Sequence, residues 1–160
     1  MKGRQYMKKS KSSFFVLCAA ICIGIAVSSI NCAGAGGSIG VNISDQPVWG
    51  PTGYDRADFY YIPDIDCYYS VSEHEYIYRE GSGWGHGGSL PSRYSGYDPY
   101  HSYKVVVNEK TPYQNHDAHQ AKYATYKGVK NQPVIRDSND PKYFVNKDHP
   151  QHANWAKQQK

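Results

Sequence analysis

Beyond residue 35 the chain contains a single leucine, Leu90. The usual filling of a globular core is missing, so Tyr, Ile, Val, Phe and Trp have to supply the buried surface. Cysteine is equally scarce: Cys18, Cys22 and Cys32 lie before residue 36 and leave Cys67 alone. A lone cysteine excludes a disulfide scaffold and is read as a buried thiol. There is also no excess of positive charge once the first 35 residues are set aside. Five of the 18 basic residues lie there and all 14 acids lie after it, which leaves 13 bases against 14 acids. The basic pI of about 8.8 therefore belongs to the N-terminus, and a nucleic-acid footprint is excluded. No P-loop or H-E-x-x-H occurs, so the P-loop nucleotide hydrolases and the zinc proteases of that motif drop out.

The N-terminus itself is informative. Lys2, Arg4, Lys8, Lys9 and Lys11 precede an apolar run from Phe14 to Val27, followed by Ala33-Gly34-Ala35. This is the layout of a secretory signal peptide, with cleavage expected after Ala35 or Ala33. Uncleaved, the segment would serve as a membrane anchor at the short end of the spanning range. A third route is lipidation at Cys32, although Ser29 and Asn31 are poor residues for it. The expectation is an exported protein of the periplasm or cell envelope. It would touch the membrane only through this segment or a lipid on Cys32. A single Tyr-rich domain is expected over 36–146 and a flexible polar tail over 147–160.

Within the domain, charge is uneven. Residues 36–103 carry three arginines against nine acids, and residues 104–160 carry ten bases against five acids. Two halves of one fold attracting each other is the plainer reading; a polar surface for a partner is the sharper one.

The fold class expected is mainly β: a small antiparallel sheet with one short helix. "SIGVNIS" (38–44) alternates as a strand does, and "DQPVWGPTGYD" is a loop carrying Trp49 as an apolar plug. "DFYYIP" is a strand closed by Pro63. "DIDCYYSV" places Ile65, Cys67, Tyr69 and Val71 on one face, taken as inward, and Asp66, Tyr68 and Ser70 on the other. "SEHE" is a polar turn and "EYIYRE" alternates again, so the two runs form a hairpin. A weak third strand is expected near Trp84, and a firm one in "YKVVVNE" (103–109). The one convincing helix is 115–128, capped by Asn115 or Asp117 and ended by Gly128. "PVIRDSNDPKYFVN" reads as strand, turn, strand. Tyrosine suits a thinly covered sheet, because its ring packs while its hydroxyl stays wet.

Four side-chain groups invite function. Gly83, Gly85 and Gly88 form a nominal G-x-G-x-x-G, but Pro91 prevents the helix that a dinucleotide site requires. Asp55, Asp58, Asp64 and Asp66 cluster without an EF-hand or cleft signature and read as solvated loop acids. His116 and His119 share a helix face and could hold Zn²⁺, Ni²⁺ or Cu²⁺ weakly. His149 and His152 repeat the spacing, and His74, His86 and His101 fall in turns. Tyr68, Tyr76, Tyr78 and Trp84 could form an aromatic surface for a partner protein or wall glycan.

From "QPVWGPTGYDRADFYYIPDIDCYYSV" onward, over about residues 46–144, the chain resembles a group of small secreted Tyr-rich proteins of Bacteroidetes-type bacteria. They share a Pro-Val-Trp-Gly-Pro start, a "YYIPDIDVYY"-like core, a "SLP.RY..YD.Y..YKVV" segment and a late "IR.S.DPKY". The group has no established activity. The resemblance implies export and one compact domain, and carries no catalytic residue. Cys67 stands where the pattern has Val, which implies an apolar, buried thiol. The expectation is a non-catalytic structural or interaction module without cofactor, the alternative being a histidine-based metal-binding protein.

Overall fold

The computed structural model describes residues 40–160; the leader, its cleavage site and Cys32 lie outside them. The described residues form one compact unit. Its centre is an antiparallel sheet of five strands: β1 (Phe59–Ile62), β2 (Cys67–Ser70), β3 (Glu75–Glu80), β4 (Gly83–Gly87) and β5 (Val105–Val107). Their order is β4-β3-β2-β1-β5. The first four strands form a meander, and β5 returns to the free side of β1. Helix α1 (His116–Tyr123) and a short helix α2 (His152–Gln158) complete the regular structure. The mainly-β fold and the strands around residues 59–80, 84 and 105 are as the sequence predicts. No helix of the described residues is long and apolar enough to cross a membrane.

Alternation sorts the strand side chains onto two faces, and both faces are covered. Tyr60, Ile62, Tyr69 and Val71 pack with Trp49, Tyr76, Tyr97 and Val106 on one side. Tyr61, Tyr68, Ile77 and Val107 pack with Trp84, Tyr113 and Tyr123 on the other. The predicted alternation of β2 is right, but its second face is not exposed: Tyr68 is fully buried. Trp49 plugs the first face as expected, with its ring 4.7 Å from that of Tyr69. Gly50 is required beside it, because a Cβ there would meet the Tyr60 hydroxyl at 2.6 Å. Cys67 is buried as predicted.

Four expectations change. The described part of the first predicted strand is irregular at 40–42 and turns at 43–45, with Ile43 packed against Ile135 and Tyr143. Within 133–146 only an isolated bridge, Pro51 to Val134, and two 3₁₀ turns form. The polar tail is ordered: His149 is buried, and His152 Nδ1 lies 2.8 Å from the Phe144 carbonyl. It carries α2, a second helix the sequence did not suggest. The reason is a set of long-range amide bonds. Asn146 Nδ2 donates to the carbonyls of Ile43 and Gln46, and Gln46 Oε1 accepts from Tyr60 Oη at 3.0 Å. Buried amides satisfied in this way hold irregular backbone without a periodic signature.

α1 stops earlier than predicted, at Tyr123 rather than near Gly128. A 3₁₀ turn, Ala124–Tyr126, follows it, and Gly128 takes φ +81, a conformation that glycine adopts without a Cβ penalty. Its freed N–H donates to Asp64 Oδ1 at 2.6 Å, which brings the β1–β2 turn against the end of the helical segment.

Candidate functional site

That contact builds one wall of a cleft of about 790 Å³, a size ordinary for small-molecule sites. Asp64, Ile65 and Asp66 come from the β1–β2 turn. Arg93, Tyr94, Tyr97 and Asp98 come from the irregular segment after β4, and Lys127 and Lys130 from the segment after α1. The acidic and basic halves of the sequence thus meet here. Asp64 pairs with Lys130 at 2.7 Å and Asp66 with Lys127 at 3.8 Å. A third pair, Asp55 with Lys142 at 2.8 Å, closes the halves elsewhere.

The cleft's charges balance. Three carboxylates, Asp64, Asp66 and Asp98, face three permanent cations, Arg93, Lys127 and Lys130. Burial works against the ionised form of Asp64, but the Gly128 N–H and Lys130 outweigh it and hold the carboxyl below its usual range. Asp66 Oδ1 accepts from the Tyr61 hydroxyl at 2.8 Å. The Asp98 carboxyl is lowered by His101, which it meets at 2.6 Å. Arg93 lies 4.7 Å over the Tyr94 ring. The cleft therefore offers both donors and acceptors, along with the half-buried rings of Tyr94 and Tyr97. Asp64 and Asp66, read from the sequence as solvated acids, prove to be part of this wall. The remaining lining residues come from two distant segments, and the one sequence signal for them is the charge asymmetry of the halves.

Behind the cleft two reactive groups are sealed. The Cys67 thiol points to the Ile65 carbonyl, 3.1 Å away, and burial pushes its pKa up to about 11. Lys104 is fully buried; its Nζ donates to the Pro99 carbonyl at 2.6 Å, and burial lowers its pKa to about 8.

The predicted metal pair is placed differently from the expectation. His116 and His119 are both buried beneath α1 rather than displayed on it. His119 has both nitrogens engaged: Nδ1 lies 2.9 Å from Tyr68 Oη, and Nε2 lies 3.2 Å from Glu109 Oε1. A carboxylate only accepts, so Nε2 carries the proton and Nδ1 accepts from Tyr68 in the neutral ring. Glu109 Oε2 in turn accepts from Asn115 Nδ2 at 2.8 Å. This relay clamps α1 onto the sheet and leaves His119 no free lone pair for a metal. His116 Nδ1 is buried without a partner. Among the described residues no further ligand atom gathers with the two rings. His149 bonds the Ser138 carbonyl and His152 the Phe144 carbonyl, so the second histidine pair serves to anchor the tail.

The aromatic group is divided as well. The register pairs Tyr78 with Gly85 and Arg79 with Trp84, so Tyr76 and Tyr78 point to one face and Tyr68 and Trp84 to the other. They cannot form one contact surface, and Tyr68 has no exposure at all. Gly85 sits under Tyr78, where a Cβ would meet the ring at 2.6 Å. The glycines 83 and 85 are thus strand residues of β4. No family model, curated protein or solved structure matches the chain.

Proposed function

We propose that this is an exported cell-envelope binding module, non-catalytic, whose cleft takes a neutral, hydroxyl-rich ligand, a saccharide unit of the wall. The observation that carries the reading is the balanced charge of the cleft. A site for an anion or a cation needs an excess of the opposite sign, whereas here each carboxylate already has a donor or cation beside it. Such pairs present charge-assisted donors and acceptors side by side, which suits the alternating hydroxyls of a sugar. The rings of Tyr94 and Tyr97 supply apolar surface for its C–H face. Export is supported by the N-terminal pattern of basic, apolar and small residues, and by the resemblance to secreted Tyr-rich proteins. The Tyr68–His119–Glu109 chain has the order of a nucleophile, base and orienting acid. Its hydroxyl is nevertheless sealed from solvent, with its pKa raised by burial, which supports a structural role for it.

The test is a titration of the full chain with neutral wall oligosaccharides, followed by amide chemical shifts. Shifts at Gly96, Lys127 and Gly128 that disappear in Tyr94→Ala and Lys130→Ala are expected. Saturable binding that leaves these residues unmoved, or no binding of any neutral sugar, refutes the assignment.

A further inference from the structure

We propose that Glu73, Glu75 and His86 form a binding site for a first-row divalent transition ion of the Zn²⁺ type. The site is separate from the cleft. Glu73 lies in the β2–β3 turn, Glu75 opens β3, and His86 lies in β4. His86 pairs with Ile77 across the β3–β4 ladder. Glu75 is two residues before Ile77, so its side chain falls on the same face as the imidazole. One ligand atom from each of the three residues lies within 4.8 Å of the other two. A tetrahedral ion with bonds of about 2.0–2.2 Å holds its ligand atoms roughly 3.3–3.6 Å apart. Rotation of the glutamate side chains supplies the remaining ångström.

The electrostatics point the same way. Among the described residues neither glutamate has an ion pair within 4.0 Å, and no side-chain hydrogen bond is made by Glu73, Glu75 or His86. Two carboxylates brought together without a cation repel each other, and an ion reverses that sign. The imidazole decides the type of ion. Mg²⁺ and Ca²⁺ prefer all-oxygen sets, whereas one nitrogen with two carboxylates suits zinc and its neighbours. The His86 ring is also oriented, standing edge-on to Tyr113 at 6.1 Å and 87°. Three protein ligands leave a fourth position for water, the arrangement of an exchangeable site rather than a closed structural one. The histidines that attract attention in the sequence, His116 and His119, are not involved.

The test is calorimetric titration of the EDTA-stripped full chain with ZnCl₂, with MgCl₂ and CaCl₂ as comparisons. One strong Zn²⁺ equivalent is expected, weakened at least about tenfold by His86→Gln and by Glu75→Gln, the range that loss of a supporting contact already produces. Both variants alter side chains at the sheet margin, and circular dichroism checks that they fold. His101→Gln should leave the titration unchanged. Absence of a Zn²⁺ equivalent overturns the proposal. So does binding that survives His86→Gln intact, because the ion is then a counterion of the acids or a guest of other histidines. Equal response to Mg²⁺ overturns it too.

Discussion

The two faces of the sheet are built from the same dipeptides and finished in different chemistry. Tyr60-Tyr61 and Tyr68-Tyr69 each send one ring to either side. On the loop-covered face, under Trp49, the Tyr60 hydroxyl ends on the Gln46 amide. On the helix-covered face, Tyr61 ends on Asp66 and Tyr68 on His119, backed by Glu109. Amides do not titrate, whereas the Glu109 carboxyl is held below its usual range by its bonds to Asn115 and His119. Equally buried tyrosines are therefore expected to answer pH differently.

The largest expected effect tests the loop-covered face. Tyr60→Ala removes a fully buried ring together with its contact to Trp49. It should cost about 3–5 kcal/mol in denaturant unfolding, with the loss unchanged between pH 5 and 8. A smaller loss that varies with pH would break the contrast between the faces.

Next in size is Lys104, packed with the 97–99 segment that covers that same face. Burial lowers its pKa from 10.5 to about 8, so the folded state disfavours the ammonium. Stability from this group is full above pH 10.5 and is lost as pH falls through about 8. Lys104→Met should therefore raise stability at pH 7 by about 1–3 kcal/mol, net of the lost bond to Pro99. It should also flatten the rise in stability between pH 8 and 10. A Lys104→Met protein that is less stable at pH 7 would show that the Pro99 bond outweighs the buried charge.

On the helix-covered face, Tyr68→Phe leaves His119 Nδ1 without its donor and should cost about 1–3 kcal/mol at neutral pH. Thermal unfolding reads this directly; a neutral result would mean that the relay is not what clamps α1.

The smallest effect is the most specific. Burial, helped by the nearby Arg79 charge, lowers the pKa of His116 below 6.5. Its contribution is fully present above about pH 6.5 and is lost as pH falls below that value. His116→Phe keeps the ring against Trp84 and removes the orphan nitrogen. We expect about 1 kcal/mol of added stability and a shallower acid limb. An unchanged acid limb would place the acid sensitivity elsewhere on that face.

Much of the sheet is legible in the chain. The alternation from Phe59 to Glu80, the punctuation by Pro63 and the polar turn before Glu75 specify a meander, because side-chain direction repeats every two residues. Less is legible wherever order depends on distant partners. In the segments 40–44 and 133–146 the strand-like pattern is overridden, and the tail has none; Asn146 and Gln46 tie these segments down from afar. A tyrosine also reads ambiguously, since one ring serves a wet surface or a dry core equally well. That is why Tyr68 and Trp84 look like surface in the sequence while Tyr68 is sealed in the fold.

By itself, then, the sequence determined the strands of the meander and β5, the glycine break of the helical segment at Gly128, the isolation of Cys67 and the attraction between an acidic and a basic half. These follow from local sterics, periodicity and composition. Only the tertiary structure decided that both sheet faces are buried and that Asp64 meets Lys130, 66 residues away. It also decided which histidines are spent on packing and which one is left beside two free carboxylates. Those outcomes depend on distances between residues far apart in the chain, and no local preference encodes such a distance.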